Sequence, residues 1–366
     1  MQPLRIFDQS FNLLGEIDNY ESLVITRKHF TYNDFHVQIN ANKQNTEHLR
    51  KGNILLPGTD FNKAAIIRQV EKKLDEGGKG SEVINVTAYG LCELFTRRIT
   101  LPPSGSAADN ITADGESVIK HYIANNITAP TDADRQISLV NMLANQNRGL
   151  NAEWGSRYKK LNEELTKIAK LAGLGLQMSL NYDTLKFDFD VVAGRDLTTS
   201  QTANNPVIFS YEFDNIQTQS YTHSDIDEKN IGYVGGEGEG TARTIEEVGT
   251  STGLDRKEIF IDARNVDISL AEKGSQELAE KNVIETLEGQ VLTYGPFEYE
   301  VDWDLGDVVT VKNSKWNIEM ESTITEVREI YEPNNFELDV TFGEKPKDIV
   351  DKMKAELDRV NGDVTK

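Results

Sequence analysis

The chain has 366 residues, 38% of them hydrophobic, and a formal net charge of −21 from 39 Lys and Arg against 60 Asp and Glu. That length calls for several packing units rather than one core, and the apolar content is too high for general disorder. With no long basic run, the acidic balance excludes a protein that grips nucleic acid by neutralising phosphates; it is compatible with a surface past which DNA slides without sticking.

The N-terminal third reads as strands. Leu4-Arg5-Ile6-Phe7 runs into a turn at Asp8-Gln9-Ser10, and Leu23-Val24-Ile25 follows. Phe35-His36-Val37-Gln38-Ile39 alternates apolar and polar residues, as a half-buried strand must. Lys51-Gly52-Asn53 turns into Ile54-Leu55-Leu56, and Ala65 to Val70 and Val83 to Tyr89 flank a Gly-rich hairpin loop at 75–80. After Pro102-Pro103 the texture changes. Val118, Ile119, Tyr122, Ile123 and Ile127 recur at helical spacing behind Asp114 as a cap. Tyr158, Leu161, Leu165, Ile168 and Ala172 form the stripe of an amphipathic helix, with Gly173 placed for a left-handed C-cap. A hairpin follows, Leu176–Leu180 and Leu185–Val191, turning at Asn181-Tyr182-Asp183.

Strand texture returns at Val207-Ile208-Phe209, Ile231–Val234 and Glu258–Ile261. A helix over about 270–288 is predicted behind Ser269 as N-cap. Strands resume at Phe297, and Ile349, Met353, Leu357 and Val360 share one face of a C-terminal helix. The start, Met1-Gln2-Pro3-Leu4-Arg5, lacks the basic and apolar segments of a secretory signal. No apolar run nears the roughly 18 residues of a membrane helix.

The two ends of the chain echo one another. Phe35–Ile39 resembles Phe297–Val301, and Lys51-Gly52-Asn53-Ile54 resembles Leu305-Gly306-Asp307-Val308. Ile67–Glu71 faces Ile324–Arg328, and Val86–Gly90 faces Val340–Gly343. The shared order points to a duplicated β unit, although antiparallel β domains in general alternate and use Gly turns. Homo-oligomers close with point symmetry, so a trimer of such a chain presents six similar units around one axis.

Several stretches carry a family resemblance: Tyr32–Ile39, Leu49–Ile54, Thr87–Gly90 leading to Arg97-Arg98-Ile99, Gly194–Thr198, Lys229–Gly240 and Asp302–Val311. Together they resemble siphophage baseplate-hub, or tail-tip, proteins, relatives of the N-terminal part of tail-associated lysins with the hub fold of contractile tails. The resemblance implies an α+β, mainly β chain with two similar β-barrel-like, tail-tube-like domains and inserted α+β domains. The expected division is 1–100 for the first barrel, 101–195 for an α+β insert, 196–262 for a β segment completing the first barrel or linking domains, 263–345 for a helix plus the second barrel, and 346–366 for a C-terminal helix.

The implied function is that of a structural homotrimeric ring in the virion tail tip, assembled in the host cytoplasm. It would join the distal tail protein, tape measure protein and tip or fibre proteins and pass DNA without specific binding, with no membrane insertion. Larger relatives carry a C-terminal peptidase or glycosidase, and the segment after Gly343 is too short for one. The alternatives are a cell-wall-degrading enzyme and a host-surface binding module.

No catalytic, cofactor-binding or metal residue is predicted, and no cofactor. Cys92, the only cysteine, sits in an apolar run at the end of a strand and reads as a buried hydrophobe. Gly235-Gly236-Glu237-Gly238-Glu239-Gly240 has two glutamates that would repel phosphate and no following Lys, so it reads as a loop allowing close backbone approach. His223-Ser224-Asp225-Ile226-Asp227 reads as a solvated loop rather than a metal site or hydrolytic dyad, because a metal needs three converging ligands. Trp154, Trp303 and Trp316 are too scattered for a sugar platform and are expected in the core or at interfaces.

Overall fold

The computed structural model describes residues 1–73, 82–264 and 268–345. The predicted hairpin loop at 75–80 and the C-terminal helix beyond 346 lie outside the described residues.

Seven strands build the first β module: β1 (Leu4–Phe7), β2 (Leu13–Ile17), β3 (Ser22–Lys28), β4 (Asp34–Asn40), β5 (Ile54–Pro57), β6 (Ala65–Lys73) and β7 (Val83–Gly90). In β4 the residues Phe35, Val37 and Ile39 are buried while His36 and Gln38 are exposed, as the alternation predicts. With Leu23, Ile25, Ile67 and Val86 they form one closed apolar core.

The insert follows. It holds β8 (Asp109–Asp114), α1 (Gly115–Ile123), β9 (Val140–Met142), β10 (Asn151–Ser156), α2 (Leu161–Ala172), β11 (Gly175–Asn181) and β12 (Lys186–Val192). Asp114 caps α1 by accepting from the Ser117 N–H at 2.9 Å. Gly173 ends α2 at φ +68°, the left-handed region its position anticipated. The insert's core is continuous with Phe7, Phe11 and Leu91 to Phe95 of the first module, so the two pack as one body.

The remaining strands do not divide at 262 as the sequence suggested. β13 (Asp196–Leu197), β14 (Ile208–Ser210) and β15 (Ile216–Ser224) join a second β module with β19 (Ile284–Val291), β20 (Val308–Asn313), β21 (Ile318–Glu332) and β22 (Asn335–Gly343). Leu197, Val207, Phe209 and Ile216 bury against Leu287, Trp303, Val309, Ile324 and Phe342. Residues between β15 and β19 form a small separate layer, with β17 (Ile245–Val248), β16 (Ile231–Gly235) and β18 (Glu258–Asp262) covered by α3 (Leu270–Ala279). Ser269 caps α3 through the Glu272 N–H. The helix stops well short of 288, because Ile284 already starts β19.

The sheet order of the second module, β15-β19-β22-β21-β20, repeats that of the first, β3-β4-β7-β6-β5, with every neighbouring pair antiparallel. Finer details repeat as well. Gly52 at φ +95° donates to the Ile67 carbonyl at 2.8 Å and Ile67 donates to Asn53 O at 2.9 Å. Gly306 at φ +94° donates to the Ile324 carbonyl at 2.8 Å and Ile324 donates to Asp307 O at 2.8 Å. Each hairpin then carries a bulge at the next residue: pairing slips between Ile67 and Gln69 against β7, and between Ile324 and Glu326 against β22. A bulge needs an extra, unpaired residue at one position, so its recurrence beside the same glycine turn is a specific match.

Two expectations change here. Among the described residues neither module closes into a barrel; the strand path is open and ends at β2 and β15. The cause lies in β21, a 15-residue strand. Its first part pairs with β20 and its last part with β3 of the other module, Glu326↔Lys28 through Tyr331↔Leu23. The second module therefore opens into the first instead of closing on β15. The second change concerns Phe297–Val301, which is not the counterpart of β4. It is a turn in which Glu300 takes φ +65° and donates its N–H to Trp303 O. By sheet position the counterpart of β4 is β19: Phe35 stands against Ala88 as Leu287 stands against Phe342.

Candidate functional site

Where β3 meets β21, charged side chains are buried between the two modules. Glu329 is fully buried and accepts hydrogen bonds from the Tyr299 and Tyr331 hydroxyls, both at 2.8 Å. Lys63 Nζ lies 2.8 Å from Glu329 and 2.7 Å from Glu300. Arg27 reaches Asp304 at 2.8 Å, Glu300 at 3.1 Å and the Tyr299 oxygen at 2.5 Å. Burial disfavours the Arg27 charge, but Tyr299, Asp304 and Glu329 outweigh it and hold its pKa well above the ordinary value. Burial likewise keeps the Tyr299 hydroxyl protonated. A network this well paired fixes one register, since removing a single member strands a buried charge.

Beside it, His29 ties three parts together. Its N–H donates to Thr325 O, and its carbonyl accepts from Leu176 of the insert at 2.8 Å. Its ring lies so close to Gly175 and Gly306 that a Cβ at either would meet ring atoms at 2.3–2.5 Å. Burial pushes its pKa down to about 4, against partial compensation from Asp307 and Asp304. Two of the family-resembling stretches also meet here. Arg195 clamps Asp307 through its guanidinium at 2.6 Å and its backbone N–H at 2.7 Å. Gly194 packs on the Gly306 carbonyl with no room for a Cβ, and β13 runs parallel to β20.

The residues weighed for chemistry sit apart from one another. Cys92 is not on a strand end; β7 stops at Gly90, and Cys92 lies in a 3₁₀ turn over Leu91–Arg97, buried. It shares a cavity of about 70 Å³ with His29 and Asn33. Burial pushes the thiol up to about 12 and the imidazole down to about 4. Those directions hold both groups neutral, the reverse of a thiolate–imidazolium pair, and the space suits water rather than a substrate.

His223 and Ser224 end β15, and Asp225 pairs with Lys257, which also holds Glu228 at 2.7 Å. Among the described residues no group of three or more His, Cys, Asp or Glu is placed to hold a metal. In the Gly235–Gly240 segment the backbone faces a cation. Arg243 donates to Gly235 O at 2.9 Å and Gly236 O at 3.0 Å, anchored by Asp262 at 2.7 Å. A Cβ on Gly235 would meet that guanidinium at 2.7 Å, which is the close approach the glycine allows. Trp154 and Trp303 are core residues, and Trp316 is half exposed on the β20–β21 turn. An open groove of about 390 Å³ is lined by Arg97, Arg98, Arg135 and Lys160. Its lining is mainly cationic, with Asp134 the one carboxylate.

The features with most bearing on assembly are two of the strand edges left unpaired among the described residues. Among the described residues β15 pairs only with β19. β6 pairs with β5 over Ala65 and Ile66, and beyond the Gly52–Ile67 contact its edge from Gln69 to Lys73 has no strand partner among the described residues. Sequence reasoning missed both edges, and the buried network as well. The network's members come from four distant segments, and nothing local marks them.

Residues 3–344 match the model of the family described as Siphovirus ReqiPepy6 Gp37-like protein. Among solved structures, the chain is similar to a tail protein from Neisseria meningitidis MC58, with a TM-score of 0.58 at 14% identity over 94% of this chain and 97% of that one. It is similar to the 43 kDa tail protein of prophage MuSo2 from Shewanella oneidensis, with a TM-score of 0.57 at 12% identity over 93% and 98%. It is also similar to prophage tail protein gp18 from Listeria monocytogenes EGD-e, with a TM-score of 0.56 at 12% identity over 99% and 100%. At these identities the likeness is one of fold. No curated protein sequence matches the chain.

Proposed function

The chain belongs to the Siphovirus ReqiPepy6 Gp37-like family of tail proteins, and from that premise we propose that it is a non-enzymatic hub of the tail tip whose three copies close into a ring. The observation that carries this reading is the repeat of one β module, down to the glycine turn and the bulge, with the two copies joined edge to edge by β21 and β3. An edge-to-edge junction between two similar units continues naturally in the same sense, and a closed oligomer satisfies it without leaving free edges. Three chains then supply six similar units around one axis, a geometry that matches a six-fold tube on one side and a three-fold tip on the other.

In this reading the ring wall is formed by the first module (1–100) and by the second, built from β13 to β15 and β19 to β22. The insert at 101–195 and the α3 layer pack around it. The neighbours are the distal tail protein, the tape measure protein and tip or fibre proteins, and the acidic surface lets DNA pass without binding. The protein acts in the virion, after assembly in the host cytoplasm. Light scattering on the purified protein tests the ring. Three chains of 41.0 kDa give a particle of about 123 kDa; a 41.0 kDa species persisting at high concentration contradicts the proposal.

A further inference from the structure

We infer that neighbouring subunits join by antiparallel pairing of the free edge of β6 in one copy with β15 of the next, in the register Gln69↔Ser224, Val70↔His223, Glu71↔Thr222, Lys72↔Tyr221 and Lys73↔Ser220. The inference rests on the ring reading and adds to it which strands meet and how.

The register follows from the junction inside the chain. Hydrogen-bond equivalence between the modules sets Ile67 against Ile324 and, past the bulge, Gln69 against Glu326 and Val70 against Val327. It sets β3 against β15 as well. Leu23, Val24, Ile25 and Thr26 pair with Val37, His36, Phe35 and Asp34. Gln219, Ser220, Tyr221 and Thr222 pair with Gly289, Glu288, Leu287 and Thr286, the equivalent positions of β19. Within the chain, Glu326↔Lys28, Val327↔Arg27, Arg328↔Thr26, Glu329↔Ile25 and Ile330↔Val24 are paired. Substituting each residue by its counterpart gives the proposed register.

Two further observations favour this occupant over an unrelated partner. Both edges lie at the positions that the internal junction leaves unfilled: β6 continues past Ile67 with its outer edge open, as β21 would without β3, and β15 is, with β2, one of the two terminal strands of the sheet among the described residues. β15 keeps few of the devices that protect a permanent edge, its bulge at Ile216–Gln219 lying outside the stretch that would pair. Over Gln217–Ser224 it carries no Pro and no Lys, and its residues are exposed or half-exposed Gln, Thr, Ser, Tyr and His. The β6 edge bears Glu71, Lys72 and Lys73, so the pairing places no like-charged residues directly opposite one another.

The test uses the full chain with Cys92→Ala as background. Directly opposite residues of an antiparallel pair stand about 4.5–5.5 Å apart at Cα, within disulfide reach. Val70→Cys combined with His223→Cys, or Glu71→Cys with Thr222→Cys, is expected to give under mild oxidation a covalent ladder ending at three chains. Having two adjacent pairs covers both hydrogen-bonding types of position. Val70→Cys with Gln217→Cys, about 20 Å out of register, is expected to stay uncrosslinked. A ring-sized particle by light scattering in which neither in-register pair crosslinks overturns the strand assignment and leaves the ring standing. Equal crosslinking of in-register and control pairs also overturns it. A monomer at all concentrations removes both.

Discussion

The two β modules use the same backbone devices and almost wholly different side chains. Gly52 and Gly306, Ile67 and Ile324, Val70 and Val327, Val86 and Val340, and Thr87 and Thr341 occupy matching positions. Around them the fillings part ways. The first core is largely aliphatic, with Leu4, Ile6, Ile25 and Ile39. The second is built on aromatic contacts, with Phe209 against Trp303 at 5.2 Å and against Phe342 at 5.0 Å. A packed core tolerates exchange of hydrophobic side chains if volume is kept, whereas a positive-φ turn and a bulge tolerate few substitutes. The divergence therefore falls on packing and spares the turn and the bulge.

The strongest way to break the symmetry is at the junction. Glu329→Ala takes the buried carboxylate away from Lys63 and from the Tyr299 and Tyr331 hydroxyls and should cost about 3–5 kcal/mol, read as a fall in the urea midpoint. Lys72 occupies the equivalent position on the free edge of β6 and is exposed, so Lys72→Ala should leave monomer stability unchanged within about 0.5 kcal/mol. Equal effects would mean that the filled edge of β21 is no more dependent on its charges than the free edge of β6.

The glycine turns offer a sharper contrast. Gly306→Ala forces a left-handed non-glycine, costing about 1–2 kcal/mol, and drives a Cβ into the His29 ring, which adds about 1–3 kcal/mol. Gly52→Ala meets only the end of the flexible Gln9 side chain, so the backbone cost of about 1–2 kcal/mol should stand nearly alone. Thermal melts of the two variants should rank in that order.

His29 gives an effect confined to acid pH. Its pKa falls from 6.5 to about 4 on burial, so the unfolded chain binds the proton more readily. Stability is full above the unfolded pKa and is lost as pH drops from 6.5 toward 4, by roughly 3 kcal/mol at most. Replacing His29 with Gln should flatten that part of the pH–stability curve. An unchanged slope in the variant would assign the acid sensitivity to other groups.

Much of this fold was legible in the chain. Alternation located β4, β6, β7, β11 and β12, and Asp114, Gly173 and Ser269 marked helix ends where the structure has them. The echo between the termini found the glycine turns and the hairpins because those are set by local backbone chemistry. It mismatched Phe297–Val301 because an alternating pattern says nothing about φ at Glu300, although far fewer residues separate Val301 from Gly306 than Ile39 from Gly52. The assignment of β13 to β15 to the second module was not readable. Those strands reach it through parallel pairing with β20 and antiparallel pairing with β19 across long separations. The junction network was equally hidden, since Lys63, Tyr299 and Glu329 become neighbours only once β3 and β21 are paired.

A ring of this kind requires that the junction inside one chain recur between chains. End-on electron-microscope averages of the purified particle test this most directly. The expected view is a three-fold ring whose wall resolves into six similar lobes, alternating between the two modules. A particle whose wall has only three lobes, or one held together through the insert with β6 and β15 facing solvent, would contradict it.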